Sequence, residues 1–328
     1  MTQLSSRHLV DAQLADGLVR FPPFHRMSAA TLLDLRAQIR DLAHAVVRST
    51  PSDGVDILEK LIPGPPNGPD LRVVIYTPSE RGNSLPAYLH IHGGGFVSGA
   101  PEIRHASSIQ LSKSLGCVVV SVDYRLAPEF PFPNGVEDCY AALRWLHQNA
   151  GVMGVDRGRI VIGGESAGGG LAAALAHLAR DRGECPVCFQ LLIYPMLDHR
   201  TAFSTTPKPY AGEFVWTVHN NRFAWSALLG ASTGTDEVSP YASAARAKNF
   251  VGLPPAFIGV GALDLFLDED LDYARRLVGA GVSTELHLYP GAFHAFDLVA
   301  DARVSQDFRR HWHDALRRAF RSEYASTP

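Results

Sequence analysis

The feature that most constrains this chain is a series of short, almost unbroken apolar runs separated by helix-length segments. Residues 71–76, 87–92, 117–122, 160–162, 189–194, 256–260 and 285–289 are too short for helices, and most lack polar alternation. A strand that is apolar at consecutive positions must bury both faces, which requires helices above and below a mostly parallel sheet. The predicted class is therefore α/β, with a mostly parallel central sheet and helices on both faces.

The intervening segments fit that scheme. Val136, Cys139, Tyr140, Leu143 and Leu146 mark one helix face, and Asn134 with Glu137 three residues later predicts a capping box at its start. A small-residue helix is expected over residues 171–180. Residues 268–281 read as a helix with acids first, Arg275 and Arg276 late and Gly281 as its stop, an order that complements the helix dipole. Phe308, Trp312, Leu316 and Phe320 form the apolar stripe of a C-terminal helix, and the arginines around it read as a solvated face.

Two regions fall outside the alternation. Residues 1–50 look helical, with Leu32, Leu33, Leu35, Ile39 and Leu42 at helix-like spacing. The interval from Tyr194 to Ala256 has no clear strand but carries Phe203, Tyr210, Phe214, Trp216, Phe223 and Trp225. A structureless loop of that length is improbable in a compact domain, so a helical insertion is expected. The predicted organisation is an N-terminal helical cap segment over residues 1–50 and a catalytic domain over 51–328. Residues about 199–250 are read as a cap insertion above the carboxyl edge of the sheet, where open α/β sheets bind ligands.

Composition narrows the function classes. A net charge of −3 on 328 residues gives no electrostatic footprint for nucleic acid. No apolar stretch follows Met1 to His8, and no run reaches the ~18 apolar residues that span a bilayer. A soluble, cytoplasmic chain without membrane insertion is expected. Four cysteines are too few for a disulfide scaffold. Cys185-Pro186-Val187-Cys188 has no second pair to complete a zinc site, so it reads as the entry to a buried strand.

The chemistry is concentrated in three places. Residues 160–170 read as a buried strand, a sharp turn at Gly164-Glu165-Ser166-Ala167-Gly168, and a helix. The two glycines leave room for a strained turn that lifts the Ser166 side chain off the sheet, while the helix start aims N–H groups at a reacting carbonyl. A phosphate-cradling turn is the competing reading, weakened by the absence of a following Gly-Lys-Ser/Thr. Upstream, His92-Gly93-Gly94-Gly95-Phe96 leaves a strand end as a loop of unobstructed N–H groups, suited to an oxyanion. Gly94, Gly95 and Ala167 are the expected donors, with Gly93 a further candidate. His90-x-His92 raises a metal pair, but the glycine run supplies no further ligand.

A base and an acid should follow in the order Ser, Asp/Glu, His. Asp264 follows one strand and His294 the next, each in a loop past the strand's carboxyl end. Asp268, Glu269 and Asp270 compete for the acid role but read as first-turn helix charges. Phe214 and Trp216 are candidate substrate-binding residues, although packing within the insertion explains them equally well.

Taken together, His92-Gly93-Gly94-Gly95, Asp123-Tyr124-Arg125-Leu126-Ala127-Pro128-Glu129, the Ser166 turn, Asp264 and Gly291-Ala292-Phe293-His294 resemble the hormone-sensitive-lipase-like, bacterial family IV esterases of the α/β-hydrolase fold. The resemblance spans about Leu71 to Phe296. It implies a serine carboxylesterase with no metal or organic cofactor, acting on short to medium acyl esters through a Ser-His-Asp triad and an acyl-enzyme. It also makes Asp123-Tyr124-Arg125 structural, and points to a homodimer as a candidate assembly. Ala295 stands where that family often has glycine. A non-catalytic small-molecule receptor on the same fold is the alternative from another class, and the presence of His294 counts against it. An amidase or deacetylase would share the same triad chemistry.

Overall fold

Each of the seven apolar runs becomes a strand in the computed structural model, which describes residues 5–20, 27–80, 82, 84–206, 208–232, 237–322 and 324. The strands are β1 (Val55–Ile62), β2 (Leu71–Pro78), β3 (Leu85–Ile91), β4 (Val118–Val122), β5 (Val155–Glu165), β6 (Phe189–Ile193), β7 (Ala256–Gly261) and β8 (Thr284–Tyr289). The α-helices are α1 (Ala12–Ala15), α2 (Leu32–Ser49), α3 (His105–Leu115), α4 (Asn134–Met153), α5 (Ala167–Arg182), α6 (Val218–Leu229), α7 (Leu267–Gly279) and α8 (Arg303–Phe320).

One sheet carries all eight strands in the order β1-β2-β4-β3-β5-β6-β7-β8. β2 runs antiparallel to both neighbours, and every pair from β4 to β8 is parallel. Successive strand residues feed opposite cores: Ile75, Leu89, Val120 and Ile162 face one, and Tyr76, Tyr88, Val119 and Val161 the other. In β3, β4, β6 and β7 every residue is buried, which is why those runs lack polar alternation. The chain leaves β3 for β4 on one side and then returns for β5 on the other. The loops after β3 and β5 therefore diverge, leaving a crevice at the switch point. The 92–96 loop and Ser166 sit there.

Several local expectations change. β1 was not apparent in the sequence, because only its end residues Val55 and Ile62 are buried and the residues between them are exposed. The capping box at Asn134 does not form. Asn134 lies inside α4 and donates to the Pro131 carbonyl, while the Glu137 carboxylate is taken by Arg182. Among its described residues, the segment between β6 and β7, read above as the insertion, holds one α-helix, α6, with short 3-10 turns such as His199–Ala202 and Ala244–Arg246. Trp216 and Trp225 are buried, Trp225 fully and against Phe96, whereas Tyr210 is exposed. Residues 207 and 233–236 of the insertion, and 1–4 and 21–26 of the N-terminal segment, lie outside the described residues.

In that N-terminal segment, α2 buries only Leu32 and Ala43 fully, and Leu33 points to solvent. Two bonds tie the approach to α2 onto the insertion: Met27 N–H donates to Asn220 Oδ1 at 2.9 Å, and Met27 O lies 3.1 Å from His219 Nε2. Among the described residues, no helix is long and apolar enough to cross a membrane.

Candidate active site

The turn after β5 is fixed by backbone crowding. A side chain on Gly164 or on Gly168 would place its Cβ 2.0 Å from the Ile91 carbonyl oxygen, so strand β5, helix α5 and strand β3 meet there without side chains. Ser166 takes up the resulting bend with φ 55° and ψ −120°, outside the regions open to most non-glycine residues. Its backbone is pinned on both sides: Ser166 N–H donates to Ile193 O, and Ser166 O accepts from Gly170 and Met196, all at 2.9 Å.

The loops after β7 and β8 bring the other two groups to this hydroxyl. Ser166 Oγ lies 2.9 Å from His294 Nε2, and His294 Nδ1 lies 2.8 Å from Asp264 Oδ2. A carboxylate only accepts, so Asp264 holds the tautomer with its proton on Nδ1 and leaves Nε2 free to accept from the serine. Asp264 Oδ1 in turn accepts the Phe266 N–H at 3.0 Å. Asp264 is fully buried, and Ser166 and His294 keep 6% and 4% of their surface exposed, so the chain of bonds is closed at the acid and opens at the serine and the imidazole.

The 92–96 loop faces the serine. A Cβ on Gly93 would sit 3.5 Å from the Ser166 Cβ, which places this backbone beside the nucleophile. Gly94 and Gly95 adopt φ 122° and 64°, values that glycine alone takes freely. Among the described residues, the N–H groups of Gly94, Gly95 and Ala167 meet no protein acceptor. Tyr124 anchors the loop by donating its hydroxyl to His92 O at 3.0 Å and stacking on the His92 ring. Arg125 pairs with the buried carboxylate of Asp138, and Asp123 with Arg72, so this stretch does brace the loop.

His90 and His92 hold no common ligand position. His90 bonds Ser121 and Glu165, and His92 Nδ1 turns to Gly93 O. Among the described residues, no cluster of three His, Cys, Asp or Glu side chains could hold a metal ion.

A cavity of about 330 Å³ opens over Ser166 and His294. Leu35, Gln38, Ile39 and Leu42 of α2 form one wall, and Val215 and Trp216 of the insertion another. Trp216 is thus at the cavity, whereas Phe214 packs against Phe293 behind it.

Two groups of charges escaped the sequence reading. Glu165, Arg104, Asp297 and Tyr194 form a buried network beside the nucleophile. Arg104 pairs with Glu165 at 3.2 Å and Asp297 at 2.8 Å, and Tyr194 donates to Asp297 at 2.6 Å while its ring meets the edge of His294. Burial would push the Glu165 carboxyl up, but Arg104 and His90 hold it down at about 2. Glu165 lies within the Ser166 turn, but no motif marks Arg104, Tyr194 or Asp297, which come from separate segments of the chain.

The acids after Asp264 form the second group. Glu269 lies in the first turn of α7 as expected, but it is buried, and it accepts from Leu197 N–H at 2.7 Å, Asp198 N–H at 3.1 Å and the Thr201 hydroxyl. Burial, with Asp198 adding to it, pushes its carboxyl up to about 8. Asp270 is fully buried with no hydrogen-bond partner for its carboxyl among the described residues, and burial, then Glu269 and Asp264, push it well above the usual range. Only Asp268 is solvent-facing, paired with Lys208.

Comparison with known proteins decides the family. An α/β-hydrolase-fold family model matches residues 88–298. Carboxylesterase NlhH of Mycobacterium tuberculosis is 38% identical over 69% of this chain and 71% of its own. The chain belongs to the α/β-hydrolase family. Within it, the chain falls among the hormone-sensitive-lipase-like carboxylesterases. Esterase LipI of M. tuberculosis is 34% identical over 74% of this chain and 82% of its own. The structure of a bacterial heroin esterase superposes with a TM-score of 0.90 at 38% identity, over 96% of this chain and 99% of that one. As an α/β-hydrolase, the chain keeps the eight-stranded sheet and places its candidate residues at the carboxyl ends of β3, β5, β7 and β8.

Proposed function

We propose that this carboxylesterase cleaves short to medium acyl esters through an acyl-enzyme on Ser166. The observation that carries the reading is the unbroken line from Asp264 through both nitrogens of His294 to Ser166 Oγ, with bonds of 2.8 and 2.9 Å, opening into an apolar cavity. His294 Nε2 takes the hydroxyl proton as Ser166 Oγ attacks the ester carbonyl. It then returns that proton to the departing alcohol oxygen. Asp264 orients the imidazole and stabilises its cationic form. The carbonyl oxygen, negative in the tetrahedral intermediate, is received by the N–H groups of Gly94, Gly95 and Ala167, with Gly93 at the rim. Donors of this kind are worth about 3–4 kcal/mol each when the charge develops. A water then repeats the cycle on the acyl-enzyme and releases the acid. Helix α2 and the insertion act as the cap, and a small-molecule ester is the only partner this chemistry needs.

The test is hydrolysis of p-nitrophenyl esters from acetate to dodecanoate by wild type and Ser166→Ala. Turnover that is lost in Ser166→Ala, with a maximum at the shorter chains, supports the reading. Turnover surviving in Ser166→Ala means another nucleophile, and a folded wild type inactive on every ester removes the esterase reading.

A further inference from the structure

A single guanidinium reaches three of the segments that meet at the site. Arg104 ends the 3-10 turn Pro101–Arg104, downstream of the 92–96 loop. Its Nε lies 3.2 Å from Glu165 Oε1, its Nη1 donates to Asp297 Oδ2 at 2.8 Å, and its Nη2 donates to the Tyr194 hydroxyl at 2.9 Å. Tyr194 closes the ring by donating to Asp297 Oδ1 at 2.6 Å. Each nitrogen of the planar fork thus has its own partner, an arrangement that the point charge of a lysine cannot reproduce. All three partners are buried.

Each partner stands next to a reacting group. Glu165 precedes Ser166, and its second oxygen lies 3.1 Å from His90 Nε2. Asp297 comes three residues after His294, in the 3-10 turn Phe296–Leu298. Tyr194 has φ 34°, backbone that a bulky residue seldom adopts and that persists only where the surroundings hold it. The Ile193–Tyr194 peptide accepts from Ser166 N–H at 2.9 Å and donates to Gly259 O at 2.8 Å. The Tyr194 ring meets the edge of His294, with ring centres 4.9 Å apart. Arg104 and Glu165 line the catalytic cavity and also a further cavity of about 170 Å³ between the sheet and helices α3 and α8, walled by Tyr88, Ser108, Ile193 and Trp312. Arg104 keeps 14% of its side chain exposed, so a small solute can take its place from there.

We propose that Arg104 is a positioning residue for the reaction, fastening the histidine loop to the nucleophile turn so that His294 Nε2 stays in register with Ser166 Oγ. The proposal rests on the esterase reading above. Arg104 acts through Asp297 and Tyr194, and its three nitrogens are turned to protein partners rather than to the substrate. Its loss is therefore read in kcat rather than in KM, because slack of about 1 Å between reacting groups is enough to cost on the order of 10²-fold in rate.

The experiment measures kcat and KM on p-nitrophenyl acetate for the full chain, with the folded fraction of each protein read by urea unfolding. The enzymes are wild type, Arg104→Ala, Arg104→Lys, Asp297→Asn and the double variant Arg104→Ala/Asp297→Asn, each with and without millimolar methylguanidinium. Arg104→Ala should lower kcat on the order of 10- to 100-fold with KM little changed. Arg104→Lys should recover only part of that loss, and Asp297→Asn should fall in the same direction by less. The double variant should lose little beyond Arg104→Ala. Methylguanidinium should raise kcat several-fold in Arg104→Ala, but not in wild type or in the double variant, which lacks the carboxylate that would hold it. A kcat in Arg104→Ala close to that of wild type overturns the proposal, as does a loss matched by the loss of folded protein or carried by KM. Independent, additive losses from Arg104→Ala and Asp297→Asn overturn the route through Asp297, and full activity in Arg104→Lys overturns the need for a fork. If Arg104→Ala does not fold, Arg104→Lys and Asp297→Asn carry the test, and wild-type kcat in both overturns it. A wild type inactive on every ester defeats the esterase reading itself and is distinguishable from all of these results.

Discussion

Replacing Glu269 by Gln isolates the energetics of a buried acid that joins the two loops flanking Asp264. The carboxyl ties the chain after β6, at Leu197 and Asp198, to the first turn of α7. Its folded-state value of about 8 stands against 4.5 for the free group. The folded chain thus holds this proton more tightly than the unfolded chain does. The associated stability is whole below pH 4.5 and is lost as pH rises towards about 8. At about 1.4 kcal/mol per pH unit, wild type should lose roughly 2–3 kcal/mol between pH 6 and pH 8 through this group alone. Glutamine keeps the shape and an oxygen for the two backbone N–H groups. Its amide can donate to the Thr201 hydroxyl, so the variant should be indifferent to pH over that window. Urea unfolding of both proteins at pH 6, 7 and 8 gives the comparison, in which titrating groups not coupled to Glu269 cancel, leaving Asp198 and Asp270 as its coupled neighbours. Wild type should become less stable relative to Glu269→Gln by that amount on going from pH 6 to pH 8. A difference that stays constant, or that grows in favour of wild type, would refute the reasoning. Glu269 would then be an anion throughout, held by its three donors.

Other perturbations follow from the same geometry. Asp264→Asn should lower kcat by about 10⁴-fold through loss of the correct imidazole tautomer, whereas Asp270→Asn should keep most of the activity at pH 7. Equal losses in the two variants, measured on p-nitrophenyl acetate, would mean that the acid has been misassigned. Gly95→Ala combines φ 64° with a Cβ 2.3 Å from Trp216, so both Tm and kcat should fall, and an unchanged Tm would show the ring to be movable. Arg125→Ala leaves Asp138, 1% exposed, without its cation, and should cost about 3–5 kcal/mol in urea unfolding. A loss below about 1 kcal/mol would place that pair with surface ion pairs.

What the sequence disclosed depended on whether a residue's role is set by its neighbours in the chain. The strands that bury both faces announce themselves through composition. Ser166 is legible because Gly164 and Gly168 are forced by a backbone approach within the same short stretch. Asp264 and His294 follow from chain order and strand ends. β1 was missed because an edge strand with exposed residues between its ends has no such signature. The first-turn acids illustrate the opposite failure. A helix start accounts for Asp268, but Glu269 and Asp270 are turned inward by tertiary packing that no local pattern encodes. The same holds for Arg104, Tyr194 and Asp297, which meet only after the loops have assembled. Trp216 and Phe214 looked equivalent in sequence, but Trp216 lines the cavity while Phe214 packs half-buried against Phe293.

The first described residues have a bearing on when this protein becomes competent. Ser6 is bound by Glu213 of the insertion, Asp11 N–H donates to Gly291 O three residues before His294, and Gln13 accepts from the backbone of Arg303. Leu14 beside them is fully buried. During synthesis residues 6–14 must therefore wait for these partners until residue 303 has emerged. The histidine loop gains its outer support only at that moment. Catalytic turnover would then report on the docking of residues 6–14 as well as on the triad itself.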